Sequence, residues 1–201
     1  SRISRFVSIM ARNKEFIQEE KLNKAKELFW EKGYLGTSMQ DLVSSTGLNP
    51  GSIYGTFGNK HQLFLDSLKL YCKAMTEQYQ QTIDENSQSP LCALKKVIDK
   101  AIDIAFKADK ACMAVKTSFE IASTDSEVRQ ILTNQADDIR NMIAELIHKA
   151  QQTGEISRTE NPQIVAAFIL SNFAGFWHLQ NLYQDINMVK MMATFLMNSL
   201  R

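Results

Sequence analysis

Between Thr37 and Lys60 the chain gathers hydroxyls, small residues and one cation on two short segments that meet at Gly47. Gly51 and Gly55 are four residues apart, and so are Ile53 and Phe57. On a helix such pairs each share a face, and these two faces are opposed. Ile53 and Phe57 suit burial against neighbouring helices, which turns the glycines outward. An interior Gly costs a helix about 1 kcal/mol relative to Ala, and an outward face offers no packing reason for two of them. They suit a surface that another molecule approaches closely. Asn49, Ser52, Tyr54 and Thr56 surround them, and Lys60 follows. The chemistry this favours is DNA recognition: hydroxyls, helix N-terminal amides and Lys60 on phosphates, with Gly51, Ser52 and Gly55 against major-groove base edges. The competing reading is a peripheral helix with flexible glycines.

Helices must carry these residues, and the sequence predicts them throughout. One runs from about Lys14 to Lys32, with Leu22, Ala25, Leu28 and Phe29 at helical spacing and Gly33 as its stop. Thr37-Ser-Met-Gln40 reads as a capping box opening a short helix that Gly47 ends. Asn49-Pro50 caps the next, Gly58 stops it, and Asn59 caps a longer helix with Leu63, Phe64, Leu68, Tyr71 and Met75 on one side. The first of these short segments, the turn and the second make a helix-turn-helix. Gln78–Ser89 reads as frayed helix, then loop. Beyond it, helices are predicted from Ser89-Pro90, over about Ala111–Ala122, from a Thr124-x-x-Glu127 box to Gly154, from Asn161-Pro162 to about Tyr183, and over about Asn187–Leu200. The expected architecture is all-α, about nine helices, with a DNA-binding domain over 1–60 and an effector-binding and dimerisation domain over 61–201.

Composition narrows the alternatives. Glycine numbers 8 and proline 3 in 201 residues, few breakers for so long a chain. The cysteines, Cys72, Cys92 and Cys112, are odd in number and lack a C-x-x-C pair, which argues against a disulfide framework and a zinc site. His61, His148 and His178 are not at metal-ligand spacing. No phosphate-binding loop or hydrolase motif appears, and no cofactor is expected. No apolar run approaches the ~18 residues of a membrane span, and Ser1–Met10 lacks the apolar stretch of a secretory signal. A cytoplasmic, non-enzymatic protein is expected. Residues 1–80 hold 11 Lys/Arg against 8 Asp/Glu, a modest basic excess. Arg2, Arg5, Arg12 and Lys14 read equally as a minor-groove arm over residues 1–13 or as a solvated tail.

The spaced set Leu28-Phe29, Gly33-Tyr34, Thr37-Ser38-Met39, Asp41-Leu42, Gly47-Leu48, Gly51-Ser52-Ile53-Tyr54, Phe57, Lys60 and Leu63-Phe64 resembles the DNA-binding half of the tetracycline-repressor (TetR) family over about residues 15–70. The resemblance implies a homodimeric all-helical transcription regulator, usually a repressor that a small molecule releases from a palindromic operator. By position it implies phosphate-contacting or helix-positioning roles for Thr37, Tyr54, Thr56 and Lys60. Groove-facing roles fall to Asn49, Pro50, Gly51, Ser52 and Gly55. Position 55 is often larger in the family and position 56 often His; Gly55 and Thr56 offer little direct base readout, which shifts specificity toward DNA shape.

The second half supplies large adaptable apolar groups. Met75, Tyr79, Phe106, Met113, Phe119, Met142 and Phe176 are the expected lining of an effector pocket, with Thr117, Asn172 or His178 as polar anchors. Plain core is the alternative for each, and a carbonyl-bonded, partly buried histidine the alternative for His178. No Lys/Arg cluster is available for a phosphate, so the expected effector is hydrophobic or amphipathic. The segment Gln163–Tyr183 is apolar around most of its circumference and needs cover on several sides. Ile164, Val165, Phe168, Ile169, Phe173 and Trp177, with Met188, Met192 and Phe195 from the last helix, are the expected dimer surface. Two other classes compete: an all-helical ligand carrier whose helix-turn-helix is only structural, and an enzyme in the C-terminal bundle, for which no motif speaks.

Overall fold

The computed structural model describes residues 18–106, 112–156 and 160–200. The proposed basic arm of residues 1–13 lies outside the described residues, as does the start expected for the first helix at about Lys14. Among the described residues there are helices and no strands: α1 (18–32), α2 (Met39–Thr46), α3 (Pro50–Phe57), α4 (Lys60–Glu85), α5 (Pro90–Phe106), α6 (Met113–Glu120), α7 (Ser126–Gln152), α8 (Pro162–Tyr183) and α9 (Ile186–Asn198).

Local chemistry accounts for most boundaries. Asn49 accepts the Ser52 N–H at the start of α3, with Pro50 at the first helical position, and Asn59 does the same for Gln62 at the start of α4. Gly47 closes α2 in the left-handed conformation at φ 70°. Two caps differ from expectation. Ser38, not Thr37, caps α2, and Asp41 completes the box by accepting from the Ser38 N–H. Thr37 is drawn inward instead, its hydroxyl donating to the Gly33 carbonyl at 2.6 Å. Asp125, not Thr124, caps α7, taking the N–H groups of Glu127 and Val128.

Helix α4 runs well past Gln78. Its polar end is an exposed face tied by Gln80–Asp84 and Gln81–Glu85 hydrogen bonds, while buried Tyr79 and half-buried Ile83 continue the apolar stripe. Along its length α4 serves both halves of the molecule. Leu63 and Phe64 pack with Phe29, Leu42, Ile53 and Phe57 of α1–α3; Phe29 and Phe64 meet edge to face with centroids 5.0 Å apart. Leu68, Tyr71, Cys72, Met75 and Tyr79 join a core walled by α5, α7 and α8, and α9 closes against α5 and α8.

Candidate nucleic-acid interface and cavity

Helix α3 is short and is anchored on one side only. Ile53 and Phe57 are buried, whereas Asn49, Pro50, Gly51, Tyr54, Gly55 and Thr56 are exposed and Ser52 is half-buried. A Cβ at Gly51 would meet only the Asn49 side chain, at 3.4 Å, and one at Gly55 would meet nothing within 4 Å. Nothing inside the protein therefore requires either glycine. The Pro50 nitrogen carries no hydrogen and Asn49 holds the Ser52 N–H, which leaves the Gly51 N–H as the outward donor at the positive end of the helix.

The remaining two positions divide. Lys60 is partly exposed beside this face, its ammonium 4.5 Å from the centroid of the Tyr34 ring. Burial pulls its pKa below the ordinary lysine value, against the opposing charges of Glu120 and Asp41. Thr37, in contrast, is 1% exposed. Its hydroxyl cannot reach a phosphate, and its place is to hold the turn between α1 and α2.

That turn is also held from a distance. Glu120 accepts the N–H groups of Tyr34 and Leu35, at 3.2 and 2.8 Å. Lys116 donates to the Glu31 and Trp30 carbonyls, at 2.7 and 3.3 Å, near the negative end of α1. Below them His61 at the start of α4 meets Asp125 at 2.7 Å. The Asp125 carboxyl is raised by burial, but hydrogen bonds from Val128, His61 and Glu127 outweigh this and lower it overall. Both Lys116 and Glu120 belong to α6, whose eight residues present three faces. Met113 and Thr117 are buried in the core. Lys116 and Glu120 grip the turn. Ala114, Val115 and Ser118 line a cavity.

The cavity holds about 390 Å³ and lies between α4, α5, α6, α7 and α8. Of the expected lining residues it contains Met75 and Tyr79. The others are elsewhere. Phe176 and Met113 are fully buried core, Thr117 is buried, and Phe106 and Met142 pack half-buried against the core. Phe119 is 73% exposed and stacks on Trp177 from outside. His178 is exposed, and the Asn172 side chain donates to the Phe168 carbonyl. None of the three expected anchors is on the cavity wall. The polar side chains there are instead those of Tyr79, Cys112, Ser118, Arg129, Thr133, Gln135 and Trp177. Much of the remaining wall is alanine: Ala101, Ala105, Ala114, Ala122, Ala136 and Ala174. Large side chains fill space, so picking the largest apolar groups finds the core. These alanines come from α5, α6, α7, α8 and the turn after α6, and Arg129, Leu132, Thr133, Ala136 and Ile139 form the wall that α7 contributes.

The expected dimer surface also divides. Ile164, Phe168, Met192 and Phe195 are exposed, Phe195 to 77%, and Val165 and Met188 are half-buried. Ile169 is fully buried on the inner side of α8, while Phe173 and Trp177 turn to the cavity. Met191, Leu182 and Tyr183 enlarge the exposed apolar face. No helix among the described residues is long and apolar enough to cross a membrane.

Comparisons with known proteins agree with this geometry. The family model described as "Bacterial regulatory proteins, tetR family" matches residues 22–66, and "Tetracyclin repressor-like, C-terminal domain" matches residues 90–196, more than half of the chain. An uncharacterized HTH-type transcriptional regulator of Bacillus subtilis (strain 168), YezE, is 29% identical over 150 residues, covering 74% of this chain and 77% of the relative. The HTH-type transcriptional repressor DhaR of Mycobacterium sp. (strain GP1) is 22% identical over 159 residues, 79% of each. A TetR transcriptional regulator from Chloroflexus aurantiacus J-10-FL shares the fold with a TM-score of 0.85 at 22% identity, over 93% of this chain and 95% of that one. A cysteine mutant of the TetR family regulator CifR, crystallised with 26-bp double-strand operator DNA, shares it with a TM-score of 0.79 at 17% identity, over 91% and 96%.

Proposed function

The chain belongs to the tetracycline-repressor family of DNA-binding transcription regulators, and from that premise we propose that it acts in the cytoplasm as a homodimeric repressor released from its operator by a small apolar molecule. Each protomer lowers α3 into the major groove. The Gly51 N–H and the Tyr54 and Thr56 hydroxyls meet phosphates, Lys60 adds a cation, and Gly51, Ser52 and Gly55 bring the backbone against base edges. One helix of eight residues reads too few bases for high specificity, so two are needed, in half-sites about one helical turn (~34–36 Å) apart. The exposed face of Ile164, Phe168, Met191 and Phe195 on α8 and α9 supports the pairing.

The single observation that carries the release is the division of α6: one face lines the cavity and another holds the turn that positions α2 and α3. A molecule that displaces Ala114, Val115 or Ser118 displaces Lys116 and Glu120 with them, and a small shift becomes a change in the spacing of two recognition helices. Alanine-rich walls with few polar atoms favour a hydrophobic or amphipathic effector over a sugar phosphate.

Selection of bound sequences from random double-stranded DNA by the purified protein tests the reading. The expected result is one palindromic site whose affinity falls steeply with salt. Enrichment of no sequence would overturn it.

A further inference from the structure

The cavity wall carries one charged side chain. Arg129, in the first turn of α7, is exposed and therefore stands at the mouth, and no Asp or Glu shares the wall with it. Its guanidinium forms no ion pair among the described residues. Nη1 reaches the Ala122 carbonyl at 3.5 Å, a long hydrogen bond, so most of a planar fork of donors is unused by the protein. A lone positive charge at the mouth of an apolar cavity raises the local concentration of anions.

A second donor lacks an acceptor at the same place. Two buried side-chain atoms have no hydrogen-bond partner among the described residues, Trp177 Nε1 and the Gln180 carbonyl oxygen. Of these two residues only Trp177 is on the cavity wall. An indole N–H donates and never accepts, so what it lacks is an acceptor. Both donors flank one end of the cavity. Phe119 stacks on the Trp177 ring with centroids 6.3 Å apart, Arg129 touches Ala122, and Phe119 and Ala122 are three residues apart at the end of α6. Two other polar groups of the wall are already engaged. The Ser118 hydroxyl donates to the Val115 carbonyl at 2.7 Å, and Gln135 accepts from the Cys72 thiol at 3.2 Å. Met75, Ile104, Leu132, Ile139, Leu170 and Phe173 give the wall its apolar length.

We propose that the cavity takes an apolar molecule bearing a single carboxylate, an aryl- or alkyl-carboxylic acid, whose carboxylate lies between Arg129 and Trp177 Nε1 while its hydrocarbon body follows the apolar wall. The guanidinium fork matches a carboxylate in shape and charge, and the indole N–H supplies a further donor. One cation balances one carboxylate. A phosphate monoester would bring a second charge that no other side chain of the wall neutralises. The anion takes Arg129 from the Ala122 carbonyl, within a turn of the Glu120 that holds the Tyr34 and Leu35 N–H groups. Its role in releasing DNA rests on the repressor reading above; the preference for an acid does not.

The test uses the full chain without DNA and two probes of the same shape, 1-naphthylacetate and its neutral amide 1-naphthaleneacetamide, titrated by calorimetry at neutral pH. The acid should bind at least about tenfold more tightly than the amide, as a hydrogen-bonded charge pair does over a neutral one. Arg129→Gln should bring the acid down to the affinity of the amide. The chain has two tryptophans, Trp30 and Trp177, so the indole N–H resonances supply a readout with an internal control. The acid should move the Trp177 resonance, assigned by its loss in Trp177→Phe, and leave that of Trp30 in place. Equal affinity of acid and amide, no binding of either, a preference that survives Arg129→Gln, or a Trp177 resonance that the bound acid does not move overturns the proposal. An acid that binds in this way yet leaves operator affinity unchanged removes the release reading and keeps this site. Operator released by neutral apolar probes, from a protein with no preference for the acid, does the reverse.

Discussion

Glu120 accepts the backbone N–H of Leu35 at 2.8 Å across 85 residues of sequence. One carboxylate at the end of α6 thus holds the turn that leads into the helix-turn-helix, with Tyr34 as its second donor. Gly33 makes room for it. Its φ is +79°, and a Cβ there would lie 2.7 Å from a Glu120 oxygen.

Glu120→Ala should therefore cost about 1–2 kcal/mol, since two amides lose a charged acceptor at a partly solvated site. Urea unfolding measures it. The same variant should bind operator but respond less to cavity ligands. Unchanged stability together with an unchanged response would remove Glu120 from the account. Gly33→Ala should be at least as damaging, because the added methyl strains the backbone and displaces the carboxylate.

Two substitutions separate stability from DNA binding. Gly55→Ala adds a methyl that touches nothing in the protein and should stabilise α3 by about 0.5–1 kcal/mol, yet it should weaken binding or change the preferred sequence. Lys60→Ala should weaken all sequences alike and reduce the salt slope by about 1. Thermal unfolding and anisotropy titrations across salt concentrations read both. If Gly55→Ala binds the selected operator as the unaltered protein does, α3 does not face the groove.

Acid should loosen the helix-turn-helix. Hydrogen bonds from Lys32 and Ser38 hold the Asp41 carboxyl well below the ordinary carboxylate range. A carboxyl depressed in the folded state contributes stability above its unfolded pKa and loses it as pH falls through the folded one. Melting temperature should therefore fall below about pH 4. Asp41→Asn should lower it at pH 7 and flatten the acid limb. An acid limb of the same steepness in the variant would place the sensitivity elsewhere.

Assembly is tested by two aromatic or aliphatic positions on α8 and α9 with opposite surroundings. Phe195 is 77% exposed and Ile169 is fully buried. Phe195→Glu should give a folded monomer, whereas Ile169→Glu should fail to fold, because an unpaired charge would be buried. Sedimentation and circular dichroism distinguish these. A Phe195→Glu protein that stays dimeric at micromolar concentration would put the interface on another face.

The fold was legible because helix starts and stops are local chemistry. Asn49-Pro50, Asn59 and Asn161-Pro162 each sit where a cap was expected, and each side chain accepts from the helix it opens. The two misplaced caps, at Thr37 and Thr124, share one cause. A neighbouring Ser38 or Asp125 offered a better-placed acceptor, while both threonine hydroxyls donated back to the preceding turn. The outward face of α3 was readable from the opposed spacing of Ile53 and Phe57 against Gly51 and Gly55. The cavity was not, because a void is defined by which side chains are absent. Phe176 and Ala174 lie two residues apart on α8, yet only the alanine is on the wall. Nor could sequence show that α6 has three separate tasks, since its partners Leu35 and Glu31 belong to the other end of the chain.

Control of DNA binding by the cavity through α6 is open to one direct measurement. The apolar fluorophore N-phenyl-1-naphthylamine is titrated into the protein with and without the selected operator, alongside Ala136→Trp, which fills the cavity. Linkage requires that a releasing ligand bind the DNA complex more weakly, by the same factor that it weakens operator binding. That reciprocal loss is expected, and Ala136→Trp should abolish it along with the probe's own binding. A probe that occupies the cavity, as shown by its loss in Ala136→Trp, yet binds equally well with and without operator would show that the cavity does not control DNA binding.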